Sequence, residues 1–271
     1  MKKKSGKVIN FFGDQLKQIT DQFGEKQSYN PTYSIAMPDG YGSLGWVEKI
    51  KDATSLTLSS CKHITDLSPL EQLSDLTELM LEDAEQLDTS VFINLSKIPK
   101  LEGLTLFGAS KFKDLKDISL LKSLTRLSLQ VLNCKNFEEV SSLSKLNELN
   151  IVSTAIEDIS FIEPLDKLKT LMVRPAPLKD LSPLVKYDYS KSLTSLDLSI
   201  DSEAYLPDIY SDGFDHVTLR YYHGEANINH IYEFSIIKNQ LTIVAPIHNK
   251  LLKEIGNNFQ YTKELRLVYL N

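Results

Sequence analysis

The amino-acid sequence predicts an α/β repeat fold, a solenoid in which every turn adds one strand to a parallel sheet. Three observations lead there. A short leucine pattern recurs along the chain at nearly constant spacing. Within each recurrence the apolar period changes from two residues to three. A Ser-Pro pair punctuates two of the units, each time within the same five residues, Asp-Leu-Ser-Pro-Leu.

The strands come first. Leu56-Thr57-Leu58 returns as Leu79-Met80-Leu81, Leu104-Thr105-Leu106 and Leu127-Ser128-Leu129. It continues as Leu149-Asn150-Ile151, Leu171-Met172-Val173 and Leu196-Asp197-Leu198. The steps are 23, 25, 23, 22, 22 and 25 residues, within the usual leucine-rich-repeat period of about 20–29. Six of the units open three residues earlier with a leucine, Leu76, Leu101, Leu124, Leu146, Leu168 and Leu193, which completes L-x-x-L-x-L. A period of two places these leucines on one face of a strand.

The return segments follow. Ile64, Leu67, Leu70, Leu73 and Leu76 are spaced by three, as are Phe112 to Leu124 and Ile156 to Leu168. A strict spacing of three suits 3-10 turns, whose side chains eclipse at i and i+3, so short turns rather than full α-helices are expected behind the sheet. Pro69 and Pro183 each follow a serine, an order that reads as N-cap then first helical residue.

Asp66-Leu67-Ser68-Pro69-Leu70 after L-x-x-L-x-L, in units of about 22 residues, resembles the internalin-type bacterial leucine-rich repeats. The resemblance covers roughly residues 53–201. It implies a right-handed, curved leucine-rich-repeat solenoid with the parallel sheet on the concave face and the 3-10 or short turns on the convex face. One departure stands out. The family often places asparagine five residues after the first strand leucine, and here those places hold Cys61, Ala84, Ala109, Leu132, Thr154, Ala176 and Asp201. The asparagine ladder that ties adjacent turns is absent.

The ends are expected to differ from the middle. Residues 1–50 read as an N-terminal cap, 51–201 as regular repeats, and 202–271 as divergent repeats and a C-terminal cap. A solenoid must cover its first apolar edge. Asp14 to Phe23 is expected to form a short amphipathic helix, Met37-Pro38-Asp39-Gly40 to turn, and Trp46-Val47 to seal the first repeat. Toward the C-terminus, Val217-Thr218-Leu219, Leu241-Thr242-Ile243 and Leu265-Arg266-Leu267 keep the step and little else of the pattern.

Composition narrows the function. With 42% hydrophobic and 24% charged residues the chain is an ordinary folded protein rather than a disordered one. A net charge of −6 argues against a dedicated nucleic-acid binder. The apolar runs fall short of the ~20 residues that span a bilayer, so no membrane partner is expected. Met1 to Lys4 is not followed by an apolar signal-peptide core, and Cys61 and Cys134 read as reduced, buried thiols. A cytoplasmic monomer is expected, with export by a route that needs no cleavable signal as the alternative.

Side chains alternate across a strand, so the residues flanking the inward leucines line the concave face. Ten such rows at about 4.8 Å would span roughly 45 Å, ample for a protein interface. Seven rows read Ser55, Thr57, Ser59; Glu78, Met80, Glu82; Gly103, Thr105, Phe107; Arg126, Ser128, Gln130; Glu148, Asn150, Val152; Thr170, Met172, Arg174; and Ser195, Asp197, Ser199. The partner-binding candidates are Glu78, Met80, Glu82, Phe107, Arg126, Glu148, Met172 and Arg174, because apolar, Met and Arg side chains are enriched at interface centres. Arg220 and Tyr221 join them from the aromatic stretch His216 to His223.

Chemistry is sparse. His216, His223 and His230 recur every seven residues beside Asp215 and Glu225, a spacing that matches no metal motif. Cys61-Lys62-His63 offers a thiol near a histidine, but Cys61 is expected in the core and His63 on a turn. No catalytic residues, metal or cofactor are expected. The function expected is non-catalytic binding of another protein on the concave face. Two alternatives stand beside it: an immunity protein neutralising a toxin, which acidity would suit if the toxin is basic, and a translocated bacterial effector or adhesin.

Overall fold

The computed structural model describes residues 7–10, 31–134, 136–190, 192–207, 214–223, 226, 239–245 and 264–269. The chain forms two compact units, residues 1–131 and 132–271. Each is built in the same way, with parallel strands in chain order on one side and short return segments on the other. This is a leucine-rich-repeat solenoid, and its parallel crossovers take the right-handed sense.

The first unit contains β1 (Lys7–Asn10), β2 (Thr32–Ala36), β3 (Ser55–Ser59), β4 (Glu78–Leu81), β5 (Gly103–Leu106) and β6 (Arg126–Gln130). Their register stacks Tyr33, Leu56, Leu79, Leu104 and Leu127 in one inward column. Ile35, Leu58, Leu81, Leu106 and Leu129 form a second column. All ten are buried. The second unit contains β7 (Glu148–Val152), β8 (Thr170–Asp180), β9 (Ser195–Tyr205), β10 (His216–His223), β11 (Gln240–Ala245) and β12 (Glu264–Tyr269). There Leu149, Leu171, Leu196, Val217, Leu241 and Leu265 share a column. The three weak C-terminal triplets are thus strands, held in register although most of the repeat pattern has decayed.

The spacing of three gives the expected turns. The 3-10 segments are Gly45–Ile50, Ser68–Gln72 and Ile118–Leu120 in the first unit, and Glu138–Ser142, Ser160–Ile162 and Ser182–Leu184 in the second. Two α-helical turns, α1 (Val91–Leu95) and α2 (Val185–Ser190), join them. One detail corrects the sequence reading. Ser68 and Ser182 are not N-caps; Leu67 and Leu181 hold that position, and the serines are the first residues inside the turn. The side chain that anchors the turn lies one residue earlier still. Asp66 accepts the Ser68 N–H at 2.8 Å, and Asp88 the Ser90, Asp114 the Lys116, Asp158 the Ser160 and Asp180 the Ser182 N–H at 2.6–3.0 Å. Asn136 serves Glu138 in the same way at 2.9 Å. These are Asx turns, in which a short side chain replaces a backbone acceptor. The Ser90 hydroxyl and then its N–H hold the Asp88 carboxyl below the usual carboxylate range.

Adjacent turns are tied without asparagines. Met37 donates its N–H to Ser59 O, Cys61 to Glu82 O and Ala84 to Phe107 O, each at 2.9 Å. At the other end of the strands, Thr54, Thr77 and Thr125 add hydroxyl bonds to the carbonyls of Pro31, Thr54 and Glu102 at 2.9–3.2 Å. The former asparagine places Cys61, Ala84 and Ala109 are packed in the core.

Each of three successive strands in the first unit exits through a left-handed residue, Ser60 (φ 59°), Asp83 (φ 58°) and Gly108 (φ 75°). A Cβ on Gly108 would lie 3.1 Å from Asp83 Cα. Gly108→Ala is therefore expected to cost about 1–2 kcal/mol, while Ser60→Gly, which relieves the same conformation, moves stability the other way. Thermal unfolding of the pair checks both signs.

Before the repeats, the turn at Met37–Gly40 is present, with Tyr41 N–H on Pro38 O at 3.0 Å and Gly40 at φ 73°. Trp46 and Val47 are buried in the first return segment. The helix expected over Asp14 to Phe23 lies outside the described residues. In the second unit, buried Tyr187 donates its hydroxyl to Ile162 O at 2.8 Å and reaches Leu165 O at 3.3 Å. Burial pushes this phenol well above its ordinary pKa. Tyr187→Phe leaves the two carbonyls without that donor and is expected to destabilise by about 1–3 kcal/mol, read as a lower urea midpoint at unchanged slope.

Candidate partner-binding face

Alternation along the strands puts Thr57, Met80, Thr105 and Ser128 in the middle outward column of the first unit, with Ser59, Glu82, Phe107 and Gln130 beside it. All are half-buried, so they carry solvent-accessible surface while their backbones are fixed in the sheet. Met80 and Phe107 supply the apolar surface of this face. Glu82 neighbours Phe107 in its column, and the Phe107 N–H donates to Leu81 O at 2.9 Å.

In the third outward column Glu78, Gly103 and Arg126 are in register across β4, β5 and β6. The Arg126 guanidinium reaches over Gly103 to bond Glu78. A Cβ at position 103 would collide with the Glu78 carboxylate, so the glycine is what lets the pair lie flat across two strand spacings. Gly103 itself is buried beneath it. Both side chains are about 40% exposed, and such a pair contributes about 0–1 kcal/mol. Its larger effect is to neutralise Glu78 and Arg126 as free charges.

The second unit presents a different surface. Asp197 on β9 accepts a bidentate bond from Arg220 on β10, Nε to Oδ1 at 2.7 Å and Nη2 to Oδ2 at 3.0 Å. Arg174 on β8 lies on the other side of Asp197, 3.9 Å from Oδ2, and its Nε donates to Met172 Sδ at 3.2 Å. One carboxylate thus serves two guanidiniums, and the second is held only loosely. Glu148 accepts Asn150 Nδ2 at 3.0 Å, while Asn150 Oδ1 is buried without a hydrogen-bond partner.

The structure places Glu78, Met80, Glu82, Phe107 and Arg126 together on the first unit's outward face, and Glu148, Met172, Arg174 and Arg220 on that of the second. Tyr221 is a correction. It is 4% exposed, because in β10 it falls in phase with Val217 and Leu219 and points into the core. Ser199, counted among the outward rows, is likewise buried. Gly103 and Asp197 stood in the outward rows but not among the candidates, since only the geometry shows what each does for its arginine.

Cys61 is fully buried, its Sγ donates to Leu58 O at 3.3 Å, and burial pushes the thiol up to about 12. It is no nucleophile in this fold, since the thiolate is the reactive form. His63 sits on the surface 3.6 Å from Asp39. His230 and Glu225 lie outside the described residues, and among the described residues no three His, Cys, Asp or Glu side chains converge on a metal position.

Comparisons with known proteins agree with the geometry. No protein-family model and no curated protein matches. Among solved structures, an internalin (InlF) from Listeria monocytogenes superposes with a TM-score of 0.53 at 19% identity, covering 88% of this chain and 76% of that one. Internalin C2 from the same organism gives 0.48 at 19% identity over 85% and 77%. A Leptospira interrogans leucine-rich-repeat protein gives 0.45 at 18% over 87% and 71%. At such identity the InlF match shows a shared fold, the internalin-like leucine-rich-repeat solenoid.

Proposed function

We propose that this chain, an internalin-like leucine-rich-repeat solenoid by fold, is a non-catalytic protein-interaction module that binds a partner protein on the outward faces of its sheets. The observation that carries this reading is the placement of Met80 and Phe107, both half-buried, in the outward columns of the sheet rather than in the buried leucine columns. Apolar side chains in that position cost solubility and add nothing to the core. Interface centres are enriched in such groups, with Arg beside them, as Met172 and Arg174 stand in the second unit. A second reading, toxin neutralisation, draws support from the net charge of −6, which would steer a basic toxin toward the protein.

The test is a capture experiment from the native organism's lysate with wild type and Met80→Asp/Phe107→Asp side by side. A protein retained by wild type alone supports the face assignment, and a toxin among the retained proteins selects the second reading. Equal retention by both argues that binding uses some other surface.

A further inference from the structure

The outward face of the first unit carries two unmatched kinds of group side by side. Met80 and Phe107 are apolar and half-buried. Glu82 lies next to Phe107, and Asp83 and Glu85 follow at the exit of β4, where Asp83 abuts Gly108 and the Glu85 N–H closes a tight turn on Asp83 O at 2.9 Å. Among the described residues, none of these three carboxylates has a cation within ion-pair distance. The arginine on this face, Arg126, is already taken up by Glu78. The exit of β4 next to the apolar pair therefore carries three carboxylates without an ion pair among the described residues, on a face whose Glu78 and Arg126 neutralise each other. An acidic partner would be repelled here, and an uncharged one would leave the carboxylates beside an apolar contact with no counter-charge.

We propose that this face binds a protein segment carrying lysine or arginine next to an aliphatic or aromatic side chain. The apolar group packs on Met80 and Phe107 while the cation is held by Glu82, Asp83 and Glu85. The inference rests on the sheet-face reading above and adds the chemistry of the partner. Five outward rows spaced about 4.8 Å apart span roughly 20 Å, room for an extended segment of about six residues.

The experiment is a selection of random phage-displayed peptides of about twelve residues, twice the segment the face accommodates, on the immobilised full-length protein. Individual binders are then titrated by fluorescence anisotropy against wild type, Glu82→Lys, Met80→Ser/Phe107→Ser and Arg174→Glu. The expected result is enrichment of Lys or Arg adjacent to Leu, Ile or Phe. Affinity should fall at least tenfold in Glu82→Lys and in Met80→Ser/Phe107→Ser, and weaken from about 0.05 M to about 0.5 M salt as screening increases. Far-ultraviolet circular dichroism confirms that the variants fold. An acidic consensus sensitive only to Arg174→Glu overturns this proposal and leaves the sheet-face reading standing. Binders indifferent to every variant overturn both, and a selection no richer than one without the protein overturns the proposal.

Discussion

Leu127→Ala is expected to lower stability by about 2–5 kcal/mol, the usual result of truncating a buried leucine to alanine. Leu127 is 1% exposed, in register with Leu104 on the preceding strand. The column Tyr33, Leu56, Leu79, Leu104, Leu127 runs across the first unit one residue per strand, with Leu127 next to Leu104. Removing Leu127 leaves a cavity that β5, held by parallel hydrogen bonds to β4 and β6, cannot close. In a repeat protein such damage spreads only as far as nearest-neighbour coupling carries it. The urea transition should therefore move to a lower midpoint, and a shallower slope would show that the array has begun to unfold in parts. A negligible shift in either would mean that Leu127 does not face the core.

The second large effect concerns binding. Met80→Asp with Phe107→Asp is expected to leave the fold intact, because neither side chain enters the buried columns, and to abolish binding of the physiological partner. Anchors at an interface centre commonly contribute about 2 kcal/mol or more each, which makes a loss of roughly thirtyfold or more per residue the natural scale. Isothermal titration of the captured partner against both proteins, with circular dichroism alongside, separates loss of contact from loss of fold. Unchanged affinity would remove this face from consideration.

The repeat was legible because its signal is redundant. An inward leucine column needs the same residue class at the same phase in every turn, and seven turns leave little room for accident. The candidate face was legible only through parity. Once the leucines are placed inward, their neighbours face outward, which located Met80, Phe107, Arg126 and Arg174. The same rule, applied to β10, would have put Tyr221 inside; weighing residue type above phase misplaced it. The Glu78–Arg126 bridge was not legible, since it joins residues 48 apart and depends on what Gly103 lacks. The anchoring role of Asp66 and its equivalents was hidden for a different reason. The aspartates recur in plain view, but Ser-Pro carried the stronger familiar reading as a helix start and drew the cap to the wrong residue.

Those aspartates have a consequence for how such a protein changes over time. Asp66, Asp88, Asp114, Asn136, Asp158 and Asp180 each act on a backbone N–H two residues ahead, so the instruction to turn is written wholly inside one repeat. A duplicated or excised repeat brings its own instruction with it and asks nothing new of the flanking chain. Copy number can then drift by recombination, and the reach of the binding surface becomes something selection adjusts in whole steps.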